Sequence, residues 1–417
     1  MKPRFGPGVA LRGRLLAGLR YAFAVLVCLG LWRCTGVAAQ APTGLSSEAY
    51  IRRYSNLENT HYRLATGQAV FVTFLGGSIT HMDGWRTHVE EYLKATYPET
   101  TFHFRNAGVP SLGSLPHAFR LEQEVLQAGR TDLLLIEAAV NDQVNGTPAV
   151  VQQRALEGII RRVLTQHPST DLVLMAFADE AKLADYRHGN VPVEVQVHQQ
   201  LAQHYRLPFV NLAQEVADRI AAGEFSWEHD FKDLHPSPFG QELYFRTLRQ
   251  LLTGAFHQPL LSQLRAAALP PQVDPYAYTE ATYGAVTQAT QLRDFRLQES
   301  WVPHDSLPTR PGFVSVPMLV ATQPDASLVL PFTGRALGIA VVSGPDAGRL
   351  QYSIDGKPYP PVELHTRWSD ALHVPWFLLL ADELSPGPHR LMLKTLPASP
   401  TTSAGSACRI VHFLINR

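Results

Sequence analysis

Three short polar clusters stand out against the apolar runs that precede or flank them. Gly76-Gly77-Ser78-Ile79-Thr80 places a hydroxyl among glycines directly after the apolar run 69–75 (AVFVTFL). Val140-Asn141-Asp142 follows a second apolar run, 132–138 (DLLLIEA), and Lys232-Asp233-Leu234-His235-Pro236 precedes a long helical stretch. A serine is a weak nucleophile until a base takes its proton. Histidine titrates near neutrality and suits that task, and an amide or backbone N–H can hold a developing oxyanion. The set therefore supplies a nucleophile, a general base with an orienting acid, and an oxyanion donor, the parts of an acyl-transfer site. No piece suffices alone. Gly-Ser by itself is an ordinary turn, and G-x-S-x-T lacks the second glycine of the nucleophile elbow G-x-S-x-G.

The elements that position these residues follow from hydrophobic pattern. Near-continuous apolar strands are predicted over 69–75, 101–105, 132–138, 171–177 and 207–212, with helices over 85–96, 121–127, 150–166, 193–204, 213–222 and 240–256. Such alternation implies a parallel sheet covered on both faces. Ligands bind at the carboxyl ends of strands in such sheets, and Ser78, Asn141 and His235 are all expected along that one edge.

The four blocks that result resemble the SGNH/GDSL hydrolase superfamily, esterases of flavodoxin-like fold. Gly76–Thr80 matches the first block, and Asn106-Ala107-Gly108-Val109-Pro110-Ser111-Leu112-Gly113 the second. Asn141-Asp142 matches the third, and Asp233, His235 and Pro236 the last. The resemblance spans roughly residues 65–255. It implies catalytic Ser78, Asp233 and His235, and an oxyanion hole drawn from Ser78, Ser111, Gly113 and Asn141. Two departures leave alternatives open. The second-block donor is Ser111 or Gly113, since Ser111 falls where many members have glycine. The usual Asp-x-x-His is shortened here, so the acid orienting His235 is Asp233 or, as the lesser candidate, Asp230. Neither metal nor organic cofactor is implied. Trp227-Glu228-His229-Asp230 has no metalloprotease spacing, and Gly108 to Gly113 lacks the dinucleotide fingerprint.

Composition narrows the setting. Across 417 residues, Lys+Arg and Asp+Glu each count 36, which argues against a nucleic-acid binder. Residues 1–39 hold six of the basic residues and no acid, leaving 30 basic against 36 acidic. Basic residues, the apolar run 21–32 and the small residues Val37-Ala38-Ala39 read as a signal peptide cleaved after Ala39. Twelve apolar residues are short of the roughly 20 a membrane span needs. The expectation is an exported protein, periplasmic or extracellular, with no stable membrane insertion. Of the three cysteines, Cys28 and Cys34 leave with the signal and Cys408 remains without a disulfide partner.

The fold expected is α/β, a flavodoxin-like three-layer parallel sheet of SGNH hydrolase type over 40–260, followed by a smaller all-β sandwich-like domain over 313–417. A proline-rich linker or edge is expected over 261–312. In the sandwich region, Arg367-Trp368 and His373-Val374-Pro375-Trp376-Phe377 form an aromatic, basic cluster that can stack on sugar rings or serve ordinary packing. The functional expectation is a serine esterase acting on short-chain, chiefly acetyl, esters of carbohydrates, with an acylated small molecule or polysaccharide as partner. The alternatives are a lipid or general short-chain esterase, and a catalytically silent glycan-binding protein.

Overall fold

The computed structural model describes residues 44–398 and 405–417. The signal-peptide segment 1–39 lies outside the described residues. The first sheet takes β1 (Ile51–Arg52), β2 (Val70–Gly76), β3 (Phe102–Gly108), β4 (Leu133–Glu137), β5 (Asp171–Ala176) and β6 (Phe209–Asn211). Their spatial order is β1-β6-β5-β4-β2-β3, parallel throughout except for the two-residue edge β1. Without that edge the order is the flavodoxin-like one, whose direction reverses between β2 and β4.

Period-two alternation divides each central strand between two cores. Val70, Val72 and Phe74 of β2, with Leu133 and Leu135 of β4, pack under the helices Trp85–Thr96, Leu212–Ala221 and Pro238–Ala255. Leu75, Leu134 and Ile136 face the helices Ser114–Leu121, Ala149–Gln166 and Val193–Tyr205 on the other side. The predicted helix over 121–127 lies earlier. Ser114–Leu121 is α-helical and passes into a single π turn at Glu122–Leu126.

The C-terminal strands are β7 (Ala281–Gly284), β8 (Thr290–Arg293), β9 (Arg296–Gln298), β10 (Met318–Ala321), β11 (Ser327–Thr333), β12 (Ala336–Ser343), β13 (Arg349–Ile354), β14 (Lys357–Glu363), β15 (Val374–Ala381), β16 (Pro388–Leu396) and β17 (Cys408–Asn416). They form two antiparallel sheets. One runs β15-β12-β17-β10-β9 with β7 also on β17, and the other runs β14-β13-β16-β11-β8. β16 alternates buried and exposed residues, as a one-sided sheet requires, whereas every residue of β12 is buried. The reason is that β12 and β17 are covered twice. Leu337, Ile339 and Ile410 fill the space between the sheets, while Ala336, Ala340 and Leu414 join the hydrolase-side core with Phe119 and Leu156.

The proline-rich stretch 261–312 is more structured than its composition suggests, because β7, β8 and β9 lie within it and pair with β17, β11 and β10. Its prolines bracket the three strands, with Pro275 before them and Pro303 after. Arg154, on the helix Ala149–Gln166, pins the same junction through Asp274, Asp382 and Glu383. Cys408 is buried, and burial pushes its thiol up to about 12, which suits packing rather than reactivity. Among the described residues no helix is long and apolar enough to cross a membrane.

Candidate active site

The strand β2 delivers its chain to the switch point and stops in two glycines. A Cβ built on Gly77 would lie 1.9 Å from Asn141 Oδ1, so only glycine lets the two loops come this close. Ser78 then opens a single helical turn, Ser78–His81. As the first helical residue, its N–H has no partner within the helix. Asn141 reaches the same crevice from the turn after β4, on the helix Ala139–Val144, and is 8% exposed.

His235 completes the contact. Its Nε2 is 2.8 Å from Ser78 Oγ, a hydrogen-bond distance. The loop that carries it is sharply bent. Lys232 has φ +86°, just after the π turn Trp227–Phe231, and the Ser237 N–H donates to Phe231 O at 2.9 Å. Asp233 Oδ1 accepts from the backbone N–H of His235 at 2.5 Å and stands 3.7 Å from its Nδ1. Asp230 is committed elsewhere. Its carboxylate accepts from the N–H and hydroxyl of Ser226, and those bonds hold its pKa below the usual carboxylate range. Of the two acids considered, Asp233 is the one near the imidazole.

The second block folds over the same crevice. Ser111 adopts φ +76°, a conformation glycine takes at no steric cost, and its carbonyl is held by Asn145 Nδ2 at 3.0 Å. Neither the Ser111 nor the Gly113 N–H is bonded to another described residue. Ser111 lines the cavity around Ser78, whereas Gly113 packs against Asp142, whose Oδ1 would sit 2.4 Å from a Cβ there.

Asp142 ties these loops together. Its Oδ1 accepts both the N–H of Ser114, at 2.8 Å, and the Ser114 hydroxyl, at 2.9 Å. Its Oδ2 is buried without a partner, and burial pushes the carboxyl up to about 7. Beneath it, Glu137 accepts from the Val140 N–H at 3.0 Å and is likewise pushed up to about 7 by burial. Lys182, fully buried, donates from Nζ to Ala139 O at 2.9 Å and pairs with Asp179. The helix that presents Asn141 therefore stands on a buried polar network.

Ser78 and His235 open into a cavity of about 250 Å³. Ser78, Asn141 and His235 form one side, and Arg310, Trp368 and Leu372 close it from the C-terminal region. Arg367 Nη2 donates to Val144 O at 2.9 Å while its guanidinium lies 4.3 Å over the Trp368 ring, which anchors this wall. A second cavity of about 320 Å³ shares Ser111 and Asn145 with the first and reaches Trp376 and Phe377. The aromatic cluster noted in the sequence thus flanks the serine. Glu137, Lys182 and Arg310 gave no signal in the sequence, because Glu137 and Arg310 are lone charges in their stretches and Lys182 reads as an ordinary i,i+3 partner of Asp179. Among the described residues, no three His, Cys, Asp or Glu side chains converge as metal ligands.

Residues 74–243 match the family model described as the GDSL-like lipase/acylhydrolase family, so that part of the chain is a GDSL-like domain. No curated protein matches the chain. Among solved structures, a two-domain esterase active on acetylated mannans is similar in fold, with a TM-score of 0.73 and 19% identity, over 89% of this chain and 98% of that one. The same esterase co-crystallised with mannopentaose matches with a TM-score of 0.72 and 19% identity, over 89% and 97% of the two chains. The likeness covers both lobes.

Proposed function

We propose that this chain, with its GDSL-type domain, is a serine esterase that removes short acyl groups, chiefly acetyl, from carbohydrates through an acyl-enzyme. The observation that carries the reading is the 2.8 Å contact between Ser78 Oγ and His235 Nε2 at the switch point of the sheet. In this mechanism His235 takes the hydroxyl proton as Ser78 attacks the ester carbonyl. The oxyanion is held by the Ser78 N–H, the Ser111 N–H and the Asn141 side-chain amide. His235 returns the proton to the departing sugar alkoxide, then activates water to free the acid. Asp233 favours the tautomer with the proton on Nδ1.

Trp368 and Leu372 wall the cavity beside Ser78 with apolar surface against which a small acyl group can rest. Flanking tryptophans offer flat apolar faces to sugar rings. The fold of the mannan-active esterase supports the carbohydrate class. The decisive assay compares nitrophenyl acetate, butyrate and octanoate with acetylated mannan and xylan. Turnover should fall steeply from acetate to octanoate, and an acetyl group on Ser78 should be trapped by mass spectrometry after rapid acid quench. Equal turnover of octanoate would favour a lipid or general esterase, and a folded protein inert to every ester would favour a glycan-binding role. Export from the cell belongs to the same reading, and the secreted protein should begin at or near Gln40 on N-terminal sequencing.

A further inference from the structure

The cavity around Ser78 contains one permanent cation and no acid to neutralise it. Its lining holds no Asp or Glu, and its other polar groups are Ser78, Ser111, Asn141, Asn145 and the His235 imidazole. The cation is Arg310, contributed from outside the family domain by the stretch before β10. Its Nε donates to Ser111 Oγ at a long 3.4 Å, and no described carboxylate pairs with it. Arg310 is half-buried. The half-buried Arg105 and Arg161 also lack a carboxylate, but their guanidinium groups are taken up by carbonyl oxygens, whereas the fully buried ones are neutralised. Arg63 faces Asp132, Arg120 faces Glu124, Arg162 faces Glu122, and Arg154 faces three acids. Burial pushes the Arg310 pKa down, with no carboxylate to offset it. A planar fork left free in a cavity is matched by a carboxylate, which it binds through two parallel hydrogen bonds.

We propose that Arg310 is a specificity-determining residue that binds a carboxylate of the substrate, so that the favoured substrates are acylated glycans bearing a uronic acid beside the esterified sugar. This rests on the esterase reading and goes beyond it. The acid-free lining explains the choice of an anion over a hydroxyl. A neutral sugar would leave this half-buried guanidinium facing the cavity without a carboxylate, whereas a uronate supplies one. Arg310 has no hydrogen bond to Ser78 or His235, so it can hold the sugar without entering proton transfer.

The test uses the full chain and nitrophenyl acetate as reporter, with glucuronate and galacturonate against glucose and galactose as competing ligands. The acidic sugars should inhibit competitively at concentrations at least about 10-fold lower than the neutral ones, as expected for a charge-assisted bidentate pair. That discrimination should vanish in Arg310→Gln and persist in part in Arg310→Lys, which keeps a point charge without the fork. Added salt should erode it in the wild type. Equal inhibition by acidic and neutral sugars in the wild type overturns the proposal. So does a discrimination that survives in Arg310→Gln, with circular dichroism confirming that the variant is folded. If the wild type hydrolyses no ester, the esterase reading fails instead, and calorimetric titration with galacturonate still reports on Arg310.

Discussion

The two halves of the site are built in opposite ways. Ser78 and Asn141 issue from the buried core, at the ends of adjacent parallel strands, and stand on Glu137, Asp142 and Lys182, all fully or almost fully buried. His235 and Asp233 sit on a surface loop, with side chains 50% and 62% exposed. The first half is anchored on a buried polar network, whose hydrogen bonds act in a lower dielectric than those of the loop. The second is wet, and its Asp–His contact is long. The side that carries Ser78 and Asn141 is thus fixed by buried partners, and the side that carries His235 is left room to adjust.

The largest effect should come from the one contact that joins the halves. Ser78→Ala removes the atom that the proposed mechanism acylates, and His235→Ala leaves a neutral hydroxyl with no base. Both should reduce acetate release to background in folded protein. Full esterase activity in the Ser78→Ala variant would end the acyl-enzyme mechanism.

Next comes Asn141→Ala, which takes one donor from the preorganised half. Loss of a single oxyanion donor costs on the order of 10²–10³ in kcat. The fall should be in kcat with KM little changed. A loss below about 10-fold would mean that the N–H groups of Ser78 and Ser111 carry the oxyanion without the side chain.

Asp233→Asn should be milder, and it tests the contrast directly. In a buried triad the equivalent change costs about 10⁴ through the wrong tautomer. Exposed charge pairs are worth little because water competes, so at 3.7 Å a loss of about 10-fold is expected. A loss near 10⁴ would show that the loop closes on substrate into a tight triad. An Asp230→Asn variant should match wild type, since that carboxylate only braces Ser226. If Asp230→Asn is crippled and Asp233→Asn is not, the orienting acid has been misassigned.

Legibility in the sequence follows the same divide. Continuous apolar runs mark β2, β4 and β5, and a residue just past a parallel strand has only one place to go. Ser78 and Asn141 could therefore be located from pattern alone. His235 was legible through its chemistry and the helix that follows it, but not its distance to Asp233, which depends on the backbone turn at Lys232. β7 to β9 escaped because three- and four-residue strands in a proline-rich stretch have no periodicity to read. Arg310 escaped for a different reason. Its meaning lies in the carboxylate it lacks, and an absent partner is visible only in three dimensions.

The smallest effect concerns the buried support, and it appears in stability rather than in rate. Asp142 has an ordinary pKa of 3.8 and is pushed up to about 7 by burial, consistent with its unpartnered Oδ2. Between those values the folded protein holds a proton that the unfolded chain has released. Folding therefore binds protons, and raising the pH through this window destabilises the fold. The contribution is fully present below about 4 and is lost as pH approaches 7. In Asp142→Asn the titrating group is gone, so the wild type should lose stability relative to the variant as pH rises. Over two pH units the change should be on the order of 2 kcal/mol, because each unit within the window is worth up to about 1.4 kcal/mol. Urea melts of both proteins at pH 5.0, 6.0 and 7.0 measure it; using the difference cancels Asp171 and leaves of Glu137 only the part that the Asp142 charge itself contributes. A difference that stays constant across that range would mean that Asp142 is ionised in the native protein. The oxyanion loop would then hang on a buried charge, and Ser114→Ala, which removes one of the two bonds to it, should cost far more than a neutral hydrogen bond does.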